Sequence, residues 1–213
     1  MTRPGKIVCV GRNYADHASE LGNVLPERPL LFLKPPSAVI DDGGIILLPP
    51  DSERVEHEAE IGFVIGKRLS RITRDQALEG IAGVTCVNDV TARDLQKLDT
   101  QWTRAKGFDT FCPVGPRTVS LAEIGNYRDL EIICRVNGEE KQHGFASDMH
   151  FGIEELLVCI SHIMTLEPGD LVATGTPSGV SQLSPGDVVE VEIPQVGVLA
   201  NTVEELPAVE DAG

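Results

Sequence analysis

Short apolar runs broken by glycine and proline constrain this chain more than any other feature of its sequence. The 213 residues include 21 glycines and 14 prolines, which cut the apolar segments to lengths typical of strands. Clear examples are residues 6–11, 30–33, 45–48 and 84–90. Many turns and few long apolar segments favour a strand-rich fold over a bundle of helices.

Two local patterns indicate what lies between the strands. Asn137-Gly138 separates the segments 130–136 and 139–143, and this dipeptide is typical of a tight hairpin turn. Residues 153–164 carry apolar side chains at helical spacing and are predicted to form the best helix of the chain. Strands outnumber helices, without regular strand–helix alternation. We therefore predict an α+β fold with a mixed, mostly antiparallel β architecture and a few helices packed outside.

The length of the chain suits one large domain better than two small ones. We find no internal repeat and no low-complexity linker. The prediction is a single catalytic domain over residues 1–203. Residues 204–213 are acidic and contain proline and alanine, so they are expected to form a loose tail.

The formal net charge of −15 excludes several classes of partner. A phosphate backbone or an anionic membrane surface would be repelled, so neither nucleic acid nor membrane is expected as a partner. No apolar stretch approaches the roughly 20 residues of a membrane span. The N-terminal sequence has no apolar signal segment, which indicates a cytoplasmic protein.

The cysteines indicate buried thiols and not a metal or redox site. They are widely spaced and include no CxxC pair, which makes a zinc or disulfide motif improbable. Buried reduced thiols are the simplest interpretation, and they agree with a reducing compartment. The five residues are Cys9, Cys86, Cys112, Cys134 and Cys159.

An alternation of acidic residues offers the first candidate site. If residues 56–65 form one strand, Glu56, Glu58 and Glu60 share one face. A solvated sheet edge tolerates such a row, and that is the simpler interpretation. The flanking residues Val55 and Ile61 look buried, however, and carboxylates that enter a core need a cation.

Asp89 offers a third carboxylate. It follows an apolar strand, where a single aspartate is most often a helix or turn cap. Together with Glu58 and Glu60 it forms a set of oxygen ligands that suits Mg²⁺ or Mn²⁺, hard cations that keep open positions for a substrate. Zinc fits less well, because no histidine or cysteine partner is evident.

Two further candidates carry proton chemistry or positive charge. His17 and Glu20 are three residues apart on one face of a predicted helical turn, where they form either a surface ion pair or a pair that activates water. Lys106 lies between Trp102 and Phe108. It is either a surface lysine or a cation that stabilises an oxyanion.

The segment 174–179 is rich in small residues and follows a predicted strand. Its backbone N–H groups are candidates for binding a carboxylate, and a plain turn explains the sequence equally well. It lacks the Gly-Lys-Ser/Thr of a phosphate loop. Motifs of serine hydrolases, zinc proteases and dinucleotide-binding folds are also absent from the sequence.

Taken together, five separated motifs resemble those of the fumarylacetoacetate hydrolase superfamily. They occur in the same order as in that superfamily and span about residues 5–200. The chain begins directly at the catalytic region, and so it looks similar to the short acylpyruvase-like branch. The motifs are Gly11-Arg12-Asn13-Tyr14 with His17 and Glu20, Phe32-Leu33-Lys34-Pro35, His57-Glu58-Ala59-Glu60-Ile61-Gly62, Asn88-Asp89-Val90-Thr91-Ala92-Arg93-Asp94 and Thr174-Gly175-Thr176-Pro177.

The resemblance implies a fold, a cofactor and roles for individual residues. The implied fold is the mixed β-roll or sandwich of the family's C-terminal domain, usually assembled as a homodimer. One Mg²⁺ or Mn²⁺ ion would bind Glu58, Glu60 and Asp89. His17 and Glu20 match the dyad that activates water, and Lys106 matches the active-site lysine. The implied substrate-binding residues are Arg12, Lys34, Gln96, Gly175 and Thr176.

The same resemblance implies hydrolysis of a small 2-oxo acid, in which an acylpyruvate or fumarylpyruvate is cleaved to pyruvate and a carboxylic acid. Alternatives are decarboxylation or tautomerisation of oxaloacetate. Another is isomerisation or decarboxylation of a 2-hydroxyhepta-2,4-diene-1,7-dioate or 5-carboxymethyl-2-hydroxymuconate. All need the same metal-bound enolate, so the metal motif does not choose among them. A catalytically silent metal-binding protein is a rival, but the presence of His17, Glu20 and Lys106 together argues against it.

Overall fold

The computed structural model describes residues 3–207 and is rich in strands. Within that part of the chain the strands are β1 (Ile7–Gly11), β2 (Leu30–Lys34), β3 (Val39–Ile40), β4 (Ile45–Leu48), β5 (Val55–Glu56), β6 (Ala59–Ile65), β7 (Ile81–Asn88), β8 (Thr91–Ala92), β9 (Cys112–Val119), β10 (Glu131–Val136), β11 (Glu139–Phe145), β12 (Leu171–Ala173), β13 (Val188–Ile193) and β14 (Gly197–Glu205).

The α-helices are short apart from the last. They are α1 (Ala15–Glu20), α2 (Arg74–Ala77), α3 (Arg93–Leu98), α4 (Thr103–Lys106), α5 (Leu121–Ile124) and α6 (Ile153–Ile163). Single turns of 3₁₀ helix lie at Pro36–Ala38, Leu78–Gly80, Tyr127–Asp129 and Ala146–Asp148.

Two mixed sheets form the body of the protein. The first has seven strands in the order β2-β1-β12-β6-β7-β9-β3, and the second has five in the order β11-β10-β13-β14-β4. The pairs β1–β12, β3–β9 and β4–β14 are parallel, and the other pairs are antiparallel. The predicted strand-rich α+β fold with a mostly antiparallel sheet is confirmed.

The main core lies between the two sheets. Ile61 and Phe63 of β6 are fully buried there, and β6 contacts β10 and β13 of the opposite sheet. Burying one such side chain stabilises the fold by about 1.5–3 kcal/mol. The other face of β6 carries Glu60, Gly62 and Val64, because side chains alternate along a strand. That second face leads to the candidate site.

Local sequence signals are confirmed at the hairpin and at the long helix. β10 and β11 pair around Asn137 and Gly138, whose φ angles of 53° and 79° are the two positive values of a type I′ turn. The helix predicted over 153–164 is α6, and its apolar side is buried in the main core.

The prediction of one continuous strand over 56–65 is wrong. The backbone leaves the sheet at His57 and Glu58, so β5 ends at Glu56 and β6 begins at Ala59. The reason is a change of hydrogen-bond partner. The Glu58 N–H donates to the Asn88 side chain over 3.0 Å, and the Glu58 carbonyl accepts from the N–H of Asp89. Glu56 is therefore separated from the other two glutamates.

The first two residues of the predicted loose tail lie in a strand. Glu204 and Glu205 belong to β14 and lie in parallel register with Leu47 and Leu48 of β4. An exposed acidic stretch is compatible with an edge pairing, since outward side chains stay in water. Residues 208–213 of the predicted tail lie outside the described residues.

All five cysteines are unpaired, and four of them are fully buried, as predicted. Cys159 is only half-buried. Burial raises the pKa of the Cys86 thiol to about 12, which keeps it in the unreactive thiol form. In residues 3–207 no helix is long and apolar enough to cross a membrane.

Candidate metal centre and active-site cleft

Three carboxylates converge on the seven-stranded sheet, on the face of β6 that carries Glu60 and points away from the main core. Glu58, Glu60 and Asp89 are all at least 95% buried, and one oxygen of each lies within 4.8 Å of the others. Glu60 lies on β6 opposite Val87 of β7, and Asp89 directly follows β7. The antiparallel β6–β7 pair therefore brings together ligands that are about 30 residues apart in the sequence.

Buried lysines balance part of this negative charge. Lys106 Nζ donates to Glu58 Oε2 at 2.9 Å and to Asp89 Oδ2 at 2.6 Å. Lys34 Nζ donates to Asp89 Oδ1 at 2.7 Å and to the Val90 carbonyl at 3.0 Å. Burial alone would lower the pKa of Lys106, but Asp89 and Glu58 outweigh it and raise that pKa well above its usual value. Lys106 is therefore a permanent cation.

Glu60 is the member of the cluster without a cationic partner among the described residues. Its Oε2 accepts a hydrogen bond from the Gly175 N–H at 2.9 Å. Burial, and then the charges of Asp89 and Glu58, raise the pKa of Glu60 well above its usual range. A carboxylate in this position needs a cation or a proton.

The donor set fits a divalent cation of the Mg²⁺ or Mn²⁺ type. It consists of carboxylate oxygens alone, and in the described part of the chain no histidine or cysteine belongs to the cluster. Hard oxygen ligands suit these two ions better than zinc. The observation that favours such an ion is the buried Glu60 carboxylate, which has no cationic hydrogen-bond partner among the described residues.

Glu56 does not share a strand face with Glu58 and Glu60, as the alternation of acidic residues suggested, but binds two arginines. Its Oε2 accepts from Arg93 Nε at 2.7 Å, and its Oε1 accepts from Arg54 Nε at 2.6 Å. Arg93 also donates through Nη2 to Glu58 Oε1. Glu56 therefore holds Arg93 in place, and Arg93 in turn orients Glu58.

His17 and Glu20 form the predicted pair on α1. His17 Nδ1 lies 3.2 Å from Glu20 Oε2, and His17 is 5% exposed and lines the cleft that contains the carboxylate cluster. A carboxylate at Nδ1 favours the tautomer with a proton on Nδ1, which leaves the lone pair on Nε2. Glu20 also accepts from the Gly179 N–H at 3.0 Å.

Asn13 anchors the start of α1. Its Nδ2 donates to the carbonyls of Phe151 and Thr174 at 3.1 and 2.8 Å, and its Oδ1 accepts from the Phe151 N–H. These contacts fix the point from which the helix extends. Glu20 and Gly179 hold its other end, so α1 is docked over the cleft.

The predicted substrate-binding residues lie in the same cleft. Lys34 and Gln96 are already engaged, since Lys34 binds Asp89 and the Gln96 side chain accepts from Arg93 Nη1. Arg12 has no hydrogen-bond or ion-pair partner within residues 3–207. Glu20 contacts the cleft indirectly, through His17. The other ten predicted site residues line the cleft: Arg12, His17, Lys34, Glu58, Glu60, Asp89, Gln96, Lys106, Gly175 and Thr176.

Comparison with known sequences identifies the family of the chain. Residues 6–204 match the family described as fumarylacetoacetate (FAA) hydrolase, C-terminal. The protein belongs to the fumarylacetoacetate hydrolase family. The family predicted from the five motifs is thereby confirmed, and so is the strand-rich domain that they implied.

Relatives in the fumarylacetoacetate hydrolase family cover nearly the whole chain. An uncharacterized protein of Methanocaldococcus jannaschii is 52% identical over 95% of this chain and 84% of its own length. The mitochondrial oxaloacetate tautomerase FAHD2A of Bos taurus is 43% identical over 95% of this chain and 68% of its own length. A crystal structure of 5-carboxymethyl-2-hydroxymuconate delta-isomerase from Mycobacterium smegmatis superposes with a TM-score of 0.89. It is 42% identical and covers 97% of this chain and 81% of its own.

Sequence reasoning missed three features of this family site. Arg93 lies in one of the five motifs, but nothing in the sequence indicated that it bridges Glu56 and Glu58. Phe32 and Trp102 form an apolar wall of the cleft, with ring centroids 5.2 Å apart. Their separation of 70 residues hides that contact from any local pattern. Lys34, Lys106 and Asp89 were all candidates, but nothing in the sequence indicated that both lysines bind Asp89.

Proposed function

We propose that the protein is a divalent-metal-dependent enzyme that transfers a proton between carbon and oxygen of a small 2-oxo acid. Its favoured substrate class is an oxaloacetate-like 2-oxo dicarboxylate, whose enol and keto forms it would interconvert. One observation carries the proposal. A buried cluster of three carboxylates shares a cleft with a histidine whose Nε2 has no hydrogen-bond partner in the described part of the chain.

The metal ligands and their surroundings define what the chain supplies. A divalent cation held by Glu58, Glu60 and Asp89 would act as a Lewis acid toward the 2-oxo group. Lys106 uses two of its three N–H donors on Glu58 and Asp89, which leaves one for a substrate oxygen. The protonated Lys106 would therefore stabilise negative charge that develops on that oxygen.

His17 would move the proton. Its Nε2 accepts a proton from C3 of the substrate while the C2–C3 double bond forms and the carbonyl electron pair moves to oxygen. The imidazolium then returns the proton to that oxygen, so the substrate leaves as its enol, and the reverse order gives the ketone. Glu20 holds the ring through Nδ1 and stabilises the imidazolium between the two steps.

Arg12 and the named relatives support the choice of a dicarboxylate. The Arg12 side chain lines the cleft, and within residues 3–207 nothing pairs with it, so it is available for a second carboxylate. One relative is an oxaloacetate tautomerase and one structural neighbour is a delta-isomerase. Both names describe proton transfer without cleavage by water.

Hydrolysis of an acylpyruvate is the second candidate. The specific observation in its favour is the His17–Glu20 pair, because a base that removes a proton from carbon also removes one from water. In that reaction water attacks the distal carbonyl, the C–C bond breaks, and the products are pyruvate and a carboxylic acid.

A panel assay distinguishes the two candidates. The decay of enol absorbance is followed for oxaloacetate and for an acylpyruvate, each with Mg²⁺ and with excess chelator. We expect metal-dependent acceleration of oxaloacetate ketonisation. If only the acylpyruvate disappears, with pyruvate released, hydrolysis is the function. If neither substrate reacts faster with the metal-loaded protein, both candidates are wrong.

A further inference from the structure

A buried glutamine connects the metal-binding strand to the cleft loop from the opposite sheet. Gln142 of β11 is 1% exposed, and both ends of its side-chain amide are fully used. Its Oε1 accepts from the Ala59 N–H at 3.0 Å and meets His57 Nδ1 at 2.9 Å. Its Nε2 donates to Thr176 Oγ1 and to the Pro177 carbonyl, both at 2.7 Å.

Backbone partners fix the orientation of this amide. The Ala59 N–H can only donate, so the side-chain atom that faces it must be the oxygen. The Pro177 carbonyl can only accept, so the atom that faces it must be the nitrogen. A flipped amide would place donor against donor and acceptor against acceptor in a buried site, where each unmade hydrogen bond is expensive.

The orientation of Gln142 determines the tautomer of His57. Because Gln142 Oε1 is an acceptor, His57 Nδ1 must carry a proton. His57 is fully buried and its hydrogen-bond partners, Gln142 and Ser181, are both neutral, so neither supplies a counter-charge for a second ring proton and Nε2 is an acceptor. Ser181 Oγ, 2.8 Å from Nε2, is then the donor to the ring. The Cys134 thiol lies 3.4 Å from Nδ1 and completes the surroundings.

The last member of the series is Thr176. Its hydroxyl oxygen accepts from Gln142, and in residues 3–207 nothing accepts the hydroxyl proton in turn. Thr176 is 2% exposed and lines the cleft beside Gly175, whose N–H binds Glu60. Gln142 therefore occupies one lone pair of the hydroxyl oxygen, and the hydroxyl proton is available to a ligand in the cleft.

A β-bulge places Gln142 where it acts. The register of β10 and β11 shifts between Cys134 and Arg135, so Cys134 faces Gln142 while Arg135 faces Glu140, and Lys141 is left over. Bulges re-aim side chains and are frequent beside active sites. Gly179 packs on the Lys141 carbonyl so closely that an added Cβ would lie 1.9 Å from it. The bulge thus supports both Thr176 and Gly179.

We infer that the Ser181–His57–Gln142–Thr176 chain is a directional hydrogen-bond relay that holds the Thr176 hydroxyl as a donor to the carboxylate of the bound 2-oxo acid. Each member donates toward the cleft. Gln142 and His57 are positioning residues that act through Thr176 and do not touch the substrate. The inference rests on the proposed function for its ligand, and it adds how the carboxylate end is recognised.

Oxalate, which mimics a pyruvate enolate, tests the relay without catalysis. Its binding is measured by calorimetry at saturating Mn²⁺, and Mn²⁺ binding is measured separately for each variant. Thr176→Val should weaken oxalate binding by about tenfold or more, the usual effect of losing a hydrogen bond to a charged group. Mn²⁺ affinity should stay unchanged, and Thr176→Ser should restore oxalate binding.

The positioning residues are tested against the same readout. Gln142→Met should weaken oxalate binding as Thr176→Val does, and the double variant should lose little more, because both changes break one path. His57→Asn keeps a donor near Nδ1 and should bind oxalate better than His57→Leu. This pair keeps the test decisive if Gln142→Met does not fold. Gln182→Met, at an exposed glutamine outside the relay, is the matched control.

Three outcomes would overturn the inference. If Thr176→Val binds oxalate with wild-type affinity, Thr176 is not a donor to the ligand. If the losses of Thr176→Val and Gln142→Met add fully in the double variant, the two residues do not act along one path. Equal affinities in His57→Asn and His57→Leu remove the orienting role of the ring. If the wild-type protein binds Mn²⁺ but no oxalate, the proposed function itself fails, and this result is distinct from the other three.

Discussion

Among the single side chains of the site, the three carboxylates differ in how their charge is balanced. Asp89 accepts from both Lys34 and Lys106, and Glu58 accepts from Lys106 and Arg93. Glu60 accepts only from a backbone N–H in the described structure. In the metal-free protein, removing the charge of Asp89 and removing that of Glu60 should therefore change the free energy of unfolding in opposite directions.

The first prediction compares Asp89→Asn with Glu60→Gln in chelated protein. Asp89→Asn leaves two buried lysines short of a partner and should lower the free energy of unfolding by about 3–5 kcal/mol. Glu60→Gln removes a like-charge repulsion and should raise it. Both should abolish tight Mn²⁺ binding. Denaturant unfolding with chelator measures the first effect, and calorimetry measures the second. Equal destabilisation by the two substitutions would contradict this charge balance.

The second prediction concerns the base. His17→Ala should slow ketonisation or hydrolysis by about 10²–10⁴-fold, the usual contribution of general-base catalysis. Decarboxylation of oxaloacetate, if the protein performs it, should fall much less, because it needs the metal and Lys106 but no base. Glu20→Gln should show the same asymmetry more weakly. The measurement is kcat for each reaction at saturating Mg²⁺. Equal losses in both reactions would mean that His17 only positions the substrate.

Among the elements, α1 is the one whose contacts suit it to open and close. Asn13 anchors its start, while its far end is held by the single exposed contact of Glu20 with the Gly179 N–H. Residues 21–29, which follow, contain no helix or strand, and none of them is buried. A segment with so little burial has a low free energy of local opening.

The third prediction is that the segment 12–24 is a lid closed by ligand. Protease cleavage within it should slow when oxalate is added together with Mg²⁺, since a ligand under α1 favours the docked state. The readout is the rate of appearance of the fragments on a gel. Oxalate without metal is the control. An unchanged rate at saturating oxalate and Mg²⁺ would argue against the lid.

How far the sequence predicts these elements depends on the range of the interactions involved. The hairpin at Asn137-Gly138 and the helix α6 were predictable, because turn chemistry and helical periodicity are local. The break at His57 and Glu58 was not, because the Asn88 side chain that takes over the Glu58 N–H lies 30 residues away. The bulge at Lys141 likewise has no local signal.

The site shows the same division. The carboxylates, His17 and Lys34 were found because each lies in one of the five motifs, and Lys106 because it lies between Trp102 and Phe108. Their pairing was not predictable, since Lys34, Asp89 and Lys106 meet only through the folded sheet. The relay through Gln142 carried no signal at all, because a lone glutamine in an otherwise polar strand looks like surface.

For the molecule as a whole, the metal couples chemistry to stability. An ion that binds only the folded state adds about 2.7 kcal/mol at a concentration of 100 times its Kd. The cluster of Glu58, Glu60 and Asp89 is buried, and part of its negative charge is uncompensated. The folded protein should therefore bind the divalent ion much more tightly than the unfolded chain. The homodimer expected from the family resemblance stays a prediction.

The fourth prediction follows from this coupling. Saturating Mg²⁺ or Mn²⁺ should raise the Tm of the wild-type protein by about 5–10 °C, given that about 1 kcal/mol shifts the Tm of a chain of this size by 2–4 °C. Chelator should reverse the shift, and Glu60→Gln should show none. Thermal scans at fixed protein concentration measure it. Equal shifts in wild type and Glu60→Gln would place the metal elsewhere.

In the proposed function, this cleft delivers a proton to one face of C3 of a 2-oxo acid. The enol of oxaloacetate is converted in D₂O with Mg²⁺, the ketone is trapped at once by enzymatic reduction to malate, and NMR locates the deuterium. We predict accelerated conversion with deuterium at one of the two C3 positions. Chelated protein should give both positions equally at the uncatalysed rate, and His17→Ala should give both positions equally at a rate about 10²–10⁴-fold below that of the wild type. Equal labelling at the uncatalysed rate by metal-loaded wild-type protein would show that the proposed function is wrong.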